Sequence, residues 1–371
     1  MNTPAVSPSA PEAFVVAEVR GRVGCLTLNR PKALNALSLA MVRDITAALL
    51  AWRDDAQVLA VTIRGMGKEG PFGAFCAGGD IRFFHQAALA GDPTLEDFFT
   101  EEYALNHLIH TYPKPYIAFM DGICMGGGMG VSQGASLRMV TERSRLAMPE
   151  TNIGLFPDVG GGFFLSRCAG RLGEYLALTG LVLGANEAVA AGLADIVVDT
   201  GRLVGLWESL GTTPFETGEA VERWCRTYAL KNVAPAAWPL AEIDRVFALD
   251  SVMVIVQALE GGSSDWARDT AALLRKRSPL MLHVVLEQVR RARGMGLAED
   301  LRMERDMVRR CFHLRPGVAS ETVEGIRALA VDKDHQPRWN PDRIEAVQAA
   351  DVAAFFDSPW PAHAHPLRGL A

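Results

Sequence analysis

The rhythm of apolar positions changes along the chain. Short β-prone runs at Phe14–Val19 and Val23–Asn29 flank Arg20-Gly21-Arg22, which is the pattern of a hairpin. After Ser38, the residues Val42, Ile45, Leu49 and Trp52 recur at helical spacing. Ser38 stands where a hydroxyl would accept a first-turn N–H, so a helix is predicted from there to about Trp52. Val58–Arg64, Tyr116–Met120 and Leu137–Thr141 read as buried strands, and Ala194–Val198 as a last one. Between 160 and 200 short helical stretches alternate with turns. Strands and helices taking turns in this way predict an α/β domain. From about Gly201 the β-prone runs become scarce, and amphipathic stretches such as Leu280–Arg293 and Leu297–Cys311 take over. The pattern therefore predicts an α/β core over residues 14–200 and a mostly helical region over 201–371, with a soft boundary near 200–210. The basic cluster Arg290-Arg291-Ala292-Arg293 reads as a solvated helix face.

Composition narrows the class. The 371 residues are 49% hydrophobic and 22% charged, as in ordinary globular proteins. A net charge of -6 gives no footing for nucleic acid as a partner. Six scattered cysteines without a CxxC pair argue against a disulfide framework or a zinc site and fit a reducing compartment. Residues 1–13, rich in Pro, Ser and Ala, read as a disordered tail with neither the apolar run of a signal peptide nor the arginines of a mitochondrial leader. No apolar run approaches the roughly 18 residues of a membrane span. The expectation is a cytoplasmic protein that does not enter a membrane.

Three stretches could carry chemistry. Phe75-Cys76-Ala77-Gly78-Gly79-Asp80-Ile81 is a turn of small residues through which a ligand could approach the backbone, or simply a strand-to-helix turn. Asp121–Gly130, with Gly126-Gly127-Gly128 at its centre, follows a strand and could present free N–H groups at a helix start; close helix packing is the alternative. Its glycine spacing fails the dinucleotide pattern, because Val131 or Gln133 falls where the third glycine belongs. Gly65-Met66-Gly67-Lys68 fails as a phosphate loop, since Glu69 follows the lysine. The third stretch, Ala147–Gly162, sets Glu150 and Asp158 among apolar and glycine residues. Carboxylates in such company are paired or raised in pKa, as proton handling requires; an N-cap at Asp158 beside an exposed Glu150 is the alternative. Two donor turns plus carboxylates are the parts needed for acyl chemistry.

Taken in order, Arg30-Pro31…Asn35-Ala36-Leu37, Cys76–Asp80 and Gly126–Gly128 resemble the crotonase (enoyl-CoA hydratase/isomerase) superfamily. That resemblance implies a spiral of ββα turns, with Gly79 and Gly127 as the N–H donors of an oxyanion hole. It also implies that Lys32, Leu34, Ala77, Gly78, Asp80 and Ile81 flank coenzyme A, and that a homo-oligomer is an open option. Hydratases of the superfamily use two glutamates; one of their positions is Glu150, but the other is held here by Gly130. Glu150 and Asp158 in Met-Pro-Glu-Thr…Gly-Leu-Phe-Pro-Asp-Val-Gly-Gly-Gly are instead similar to the 3-hydroxyisobutyryl-CoA hydrolase group, as are Glu101-Glu102-Tyr103 and the segment from Glu324 to Trp339.

This resemblance implies hydrolysis of a short 3-hydroxyacyl-CoA thioester, as in valine breakdown. Glu150 would act as base or nucleophile, Asp158 would hold the substrate 3-hydroxyl or share the proton work, and Glu102 would shape the acyl pocket. Lys333 would reach a coenzyme A phosphate. No metal or other cofactor is expected, since coenzyme A arrives with the acyl-CoA substrate. The alternatives are an enoyl-CoA hydratase or isomerase on the same fold, and a non-catalytic acyl-CoA binder.

Overall fold

The computed structural model describes residues 13–371, so the tail expected at 1–13 lies, but for Ala13, outside the described residues. Among the described residues, nine strands build two sheets. The larger is six-stranded: β1 (Val15–Arg20), β2 (Val23–Leu28), β3 (Ala60–Gly65), β5 (Tyr116–Met120), β7 (Leu137–Val140) and β9 (Ile196–Val197), in that spatial order. β1 and β2 form the antiparallel hairpin, and every later pairing is parallel. The smaller sheet is three-stranded and parallel, in the order β4 (Ala74–Cys76), β6 (Ile123–Met125), β8 (Arg145–Ala147). From β3 onward the chain places strands alternately in the two sheets. Helices connect the turns: α1 (Leu39–Arg53), α2 (Ile81–Ala90), α3 (Thr94–His110), α4 (Gly127–Gln133), α5 (Gly161–Ser166), α6 (Leu172–Thr179) and α7 (Ala185–Ala190). The Ser38 hydroxyl caps α1 by accepting from the Met41 N–H.

The inner strands read as unbroken apolar runs because both faces of the large sheet are covered. Period-two alternation sorts their side chains into two cores. Leu26, Ile63, Ala118 and Val140 face one core. Val23, Cys25, Ile117, Phe119, Leu137 and Met139 face the other, under Leu203, Leu206, Trp207, Val221 and Cys225. Those covering residues belong to α8 (Leu203–Ser209) and α9 (Gly218–Arg226), or lie beside them.

The rest of the helical region comprises α10 (Leu240–Phe247), α11 (Val252–Glu260), α12 (Asp265–Leu274), α13 (Pro279–Ala292), α14 (Leu297–His313), α15 (Glu321–Ile326) and α16 (Ala349–Ala353). α13 packs on α5 and α6, α14 on α3 and α5, and α15 on α2 and the turn at 150–153.

Two expectations change here. The small sheet is absent from the strands read off the hydrophobic pattern, because three-residue strands embedded in glycine turns carry no period of their own. The basic cluster is also more than a solvated face. Arg291 does pair along the helix with Glu287. Arg290, however, donates to the Asp250 and Leu249 carbonyls, and Arg293 reaches the fully buried Glu174 carboxylate and the Ser166 and Gly170 carbonyls. Long arginine stems let a helix tie neighbouring helices from its polar side.

Candidate active site

The small sheet places the chemistry. Its three strands are parallel and adjacent, so their C-terminal ends open side by side: β4 runs into Ala77–Asp80, β6 into Gly126–Gly127, and β8 into Pro149–Glu150. The first turn is zipped to the segment before α1. Ala77 N–H donates to the Leu34 carbonyl, Leu37 N–H to Gly78 and Asp80 N–H to Leu37, at 2.8–3.0 Å. The buried Asn35 amide holds that segment by donating to the Met66 and Ala74 carbonyls. Gly78, at φ +110°, takes a backbone conformation that side chains disfavour. The zip uses the Ala77 and Asp80 N–H groups but not that of Gly79. Gly127, the first residue of α4, has no intrahelical acceptor for its N–H. Neither amide donates to any group among the described residues. The two lie close together: a methyl placed on Gly127 would sit 3.3 Å from the Gly79 nitrogen.

Carboxyl groups converge on the same turns. The methyl on Gly127 would meet Glu102 Oε1 at 2.6 Å, and one on Gly126 would meet Glu150 Oε1 at 2.9 Å. Glu102 comes from α3, and Glu150 opens the 3-10 turn Glu150–Ile153. Asp158 lies in the loop before α5, where the Tyr103 hydroxyl donates to its Oδ2 at 2.8 Å. All three carboxyls are buried, and all line one cavity of about 220 Å³ with Ala77, Gly78, Gly79, Ile81, Gly126 and Gly127. Glu102 Oε1 and Glu150 Oε2 have no hydrogen-bond partner among the described residues.

Burial without partners favours the neutral acid. Desolvation first, then the Asp158 and Glu150 charges, push Glu102 well above the usual carboxylate range. Desolvation and the Asp158 charge do the same to Glu150. Asp158 rises through burial to about 6, restrained by the Tyr103 hydrogen bond. Groups coupled this closely titrate as a set rather than singly.

Ala77, Gly79 and Ile81 also border an outer cleft with Arg30, Lys32, Leu34, Lys68, Asp80, Arg82 and Ala330. Asp80 caps α2 by accepting from the Phe83 N–H and pairs with Arg30 at 2.9 Å. Lys333 lines the next groove along, which shares Arg82 and Ala330 with the cleft. Every site residue named from sequence therefore falls on one continuous surface. Sequence reading missed the apolar wall of Phe84, Met125, Ile153, Leu155 and Leu329. It also passed over the cations Arg30, Lys68 and Arg82 as lining groups, although Lys68 stood inside the rejected phosphate loop. Tyr103 lay next to Glu102 in plain view, but its contact with Asp158 spans 55 positions.

Gly130 is closed to a side chain. A methyl there would lie 2.7 Å from the Val159 Cβ and 2.9 Å from the Asn106 amide nitrogen. Val159 itself sits at φ +56°, a conformation that a β-branched residue rarely adopts.

This architecture is that of the crotonase-fold enzymes. The crystal structure of a carnitinyl-CoA dehydratase from Mycobacterium thermoresistibile superposes with a TM-score of 0.83 at 37% identity, covering 94% of this chain and 98% of that one. That of an enoyl-CoA hydratase from Rhodobacter sphaeroides gives 0.82 at 37% identity, with the same coverage. The family model of enoyl-CoA hydratase/isomerase matches residues 23–356, and the chain belongs to that family. Among curated proteins it is 40% identical over 344 residues to the mitochondrial 3-hydroxyisobutyryl-CoA hydrolase of Xenopus tropicalis, covering 91% of this chain and 87% of that protein. The human protein of the same name is 37% identical over 350 residues, covering 93% and 88%. The mitochondrial names of these relatives overturn the cytoplasmic expectation. The cysteine argument could not separate the two compartments. All six thiols are free and buried, which suits any reducing space.

Proposed function

We propose that the cavity hydrolyses short 3-hydroxyacyl-CoA thioesters, with 3-hydroxyisobutyryl-CoA as the main substrate. The observation that carries this reading is the convergence of Glu102, Glu150 and Asp158 on the two unengaged N–H groups of Gly79 and Gly127. In this reading the thioester oxygen accepts from both amides, which stabilise the negative charge that develops on it as the carbonyl is attacked. Glu150 either takes a proton from the attacking water or attacks the carbonyl itself. By the first route water adds, the C–S bond breaks, and the thiolate leaves with a proton. By the second a mixed anhydride forms as the thiolate leaves, and water then opens it. Both routes consume one water and yield the hydroxy acid and free coenzyme A. Asp158, oriented by Tyr103, holds the 3-hydroxyl or shares the proton work, and Glu102 shapes the acyl pocket.

Lys32, Leu34, Ala77, Gly78, Asp80 and Ile81 would flank the coenzyme A moiety along the outer cleft, with Lys333 at its far end for a phosphate. The reaction so written needs no resident metal or other cofactor. The hydratase and dehydratase names of the structural relatives raise a second reading. Against it stands Gly130, where a hydratase would carry its other glutamate and where Val159 now fills the space. Incubation with 3-hydroxyisobutyryl-CoA and crotonyl-CoA in parallel decides between them. Thiol release from the first substrate with little loss of enoyl absorbance from the second is expected. Rapid loss of the enoyl absorbance without thiol release would overturn the hydrolase reading.

A further inference from the structure

Asp158 sits in a loop whose next residue, Val159, is held at φ +56°. A strained β-branched residue persists only where its surroundings over-determine it. Here the surroundings come from two helices far along the chain. From α14, Glu304 accepts the Gly160 N–H on Oε2 at 2.7 Å and the Gly162 N–H on Oε1 at 2.9 Å. One helical turn earlier, Asp300 accepts the Phe163 N–H at 2.9 Å. From α13, the Gln288 amide donates to the Pro157 carbonyl at 2.7 Å and to Glu304 Oε1 at 3.1 Å. The three side chains thus grip the backbone on both sides of Asp158 and Val159. Glu304, Asp300 and Gln288 are fully buried. Burying two carboxyls is costly unless their oxygens are used; backbone N–H groups use both oxygens of Glu304 and Oδ2 of Asp300, while Asp300 Oδ1 is left without a partner among the described residues.

We propose that Glu304 is a positioning residue for Asp158, acting through the Gly160 and Gly162 N–H groups, with Gln288 and Asp300 completing the clamp. Its effect on catalysis rests on the hydrolase reading above. The clamp also accounts for Gly130. By fixing Val159 at positive φ, it drives that side chain into the volume a residue at 130 would need. Through α13 and α14, neither of which lines the cavity, the helical region thereby takes part in the site beyond the wall residue Leu329.

The test compares 3-hydroxyisobutyryl-CoA with isobutyryl-CoA, which lacks the hydroxyl, on wild type, Glu304→Gln, Asp158→Asn and the double variant. A glutamine keeps one acceptor and turns an NH₂ toward the other backbone donor. Glu304→Gln should cut the preference for the hydroxylated substrate roughly 10- to 100-fold, the scale of a small misplacement at a reacting centre. In the double variant the loss should be no greater than in Asp158→Asn alone, since both changes act through one group. Gln288→Met, a milder loosening, should move the preference the same way by less. A general structural defect would lower both substrates together, whatever Asp158→Asn does; a folded Glu304→Gln protein that departs from the Asp158→Asn pattern, or whose losses add to it in the double variant, would overturn the proposal. Should wild type prove inactive on both esters, the hydrolase reading fails and the clamp is read separately. With ¹⁵N-glycine, the Gly160 and Gly162 amide resonances, set in wild type by donation to the two Glu304 carboxyl oxygens, should shift in Glu304→Gln. Unmoved resonances would sink the clamp itself.

Discussion

At the residue scale, the proposed reaction divides the work between two acids close together in sequence. Glu150 has an unpartnered oxygen and a carboxyl pushed far up by burial and by the Asp158 charge, whereas Asp158 is steadied by Tyr103. Glu150→Gln should lower kcat by about 10²–10⁴ for every substrate, with the fold intact, in a thiol-release assay. Asp158→Asn should act mainly on KM for the hydroxylated ester if it holds the hydroxyl, and on kcat for both esters if it shares the proton work. The pH profile carries the sign of the shift. In the proposed reaction Glu150 must lose its proton to act, and its pKa is raised, so kcat/KM should climb with pH well above the range where an ordinary glutamate is already ionised. A profile flat from pH 5 upward would contradict this.

Elements decide which chemistry those residues can share. The parallel small sheet delivers Gly79, Gly127 and Glu150 from three neighbouring strand ends, and α3 delivers Glu102 and Tyr103 from one turn of helix. α4 starts within the same group, but three residues in, at Gly130, it meets Val159 and Asn106. Gly130→Glu should therefore fail to create a hydratase. The new side chain overpacks this contact, which costs about 1–3 kcal/mol, and its charge adds a desolvation penalty. Thermal melting should show a clear loss of stability, and crotonyl-CoA hydration should stay at background. A stable variant with robust hydration would show that α4 and the Val159 loop can separate.

For the whole molecule, the buried acids make stability depend on pH in an unusual direction. Glu102, Glu150 and Asp158 all have folded pKa values above their unfolded ones, so the folded state holds more protons. Their contribution is fully present below about pH 4, where both states are protonated, and is lost as pH rises through about 6 and beyond. Glu102→Gln, which removes one such charge, should raise Tm relative to wild type at pH 8 and change it little at pH 4. An equal shift at both pH values would mean that packing, not ionisation, sets the difference.

Much of this protein could be read along the chain. The alternation of Val23–Asn29, Val58–Arg64, Tyr116–Met120 and Leu137–Thr141 with helices is enforced by local period, and both faces of the sheet demand apolar side chains. Asn35, the glycine turns and the Glu150–Asp158 pair stood out through their ordered resemblance to the crotonase superfamily, since each turn or carboxylate alone had an ordinary structural explanation. The small sheet, the Tyr103 contact and the clamp from Gln288, Asp300 and Glu304 were not. Three-residue strands have no period, and Glu304 lies 144 positions from the Gly160 N–H it receives. In sequence, Asp300 and Glu304 are ordinary polar residues of an amphipathic helix. Only the packing of α13 and α14 against α5 turns that polar side inward, because hydrogen bonds to a loop backbone form between whatever elements the fold brings together.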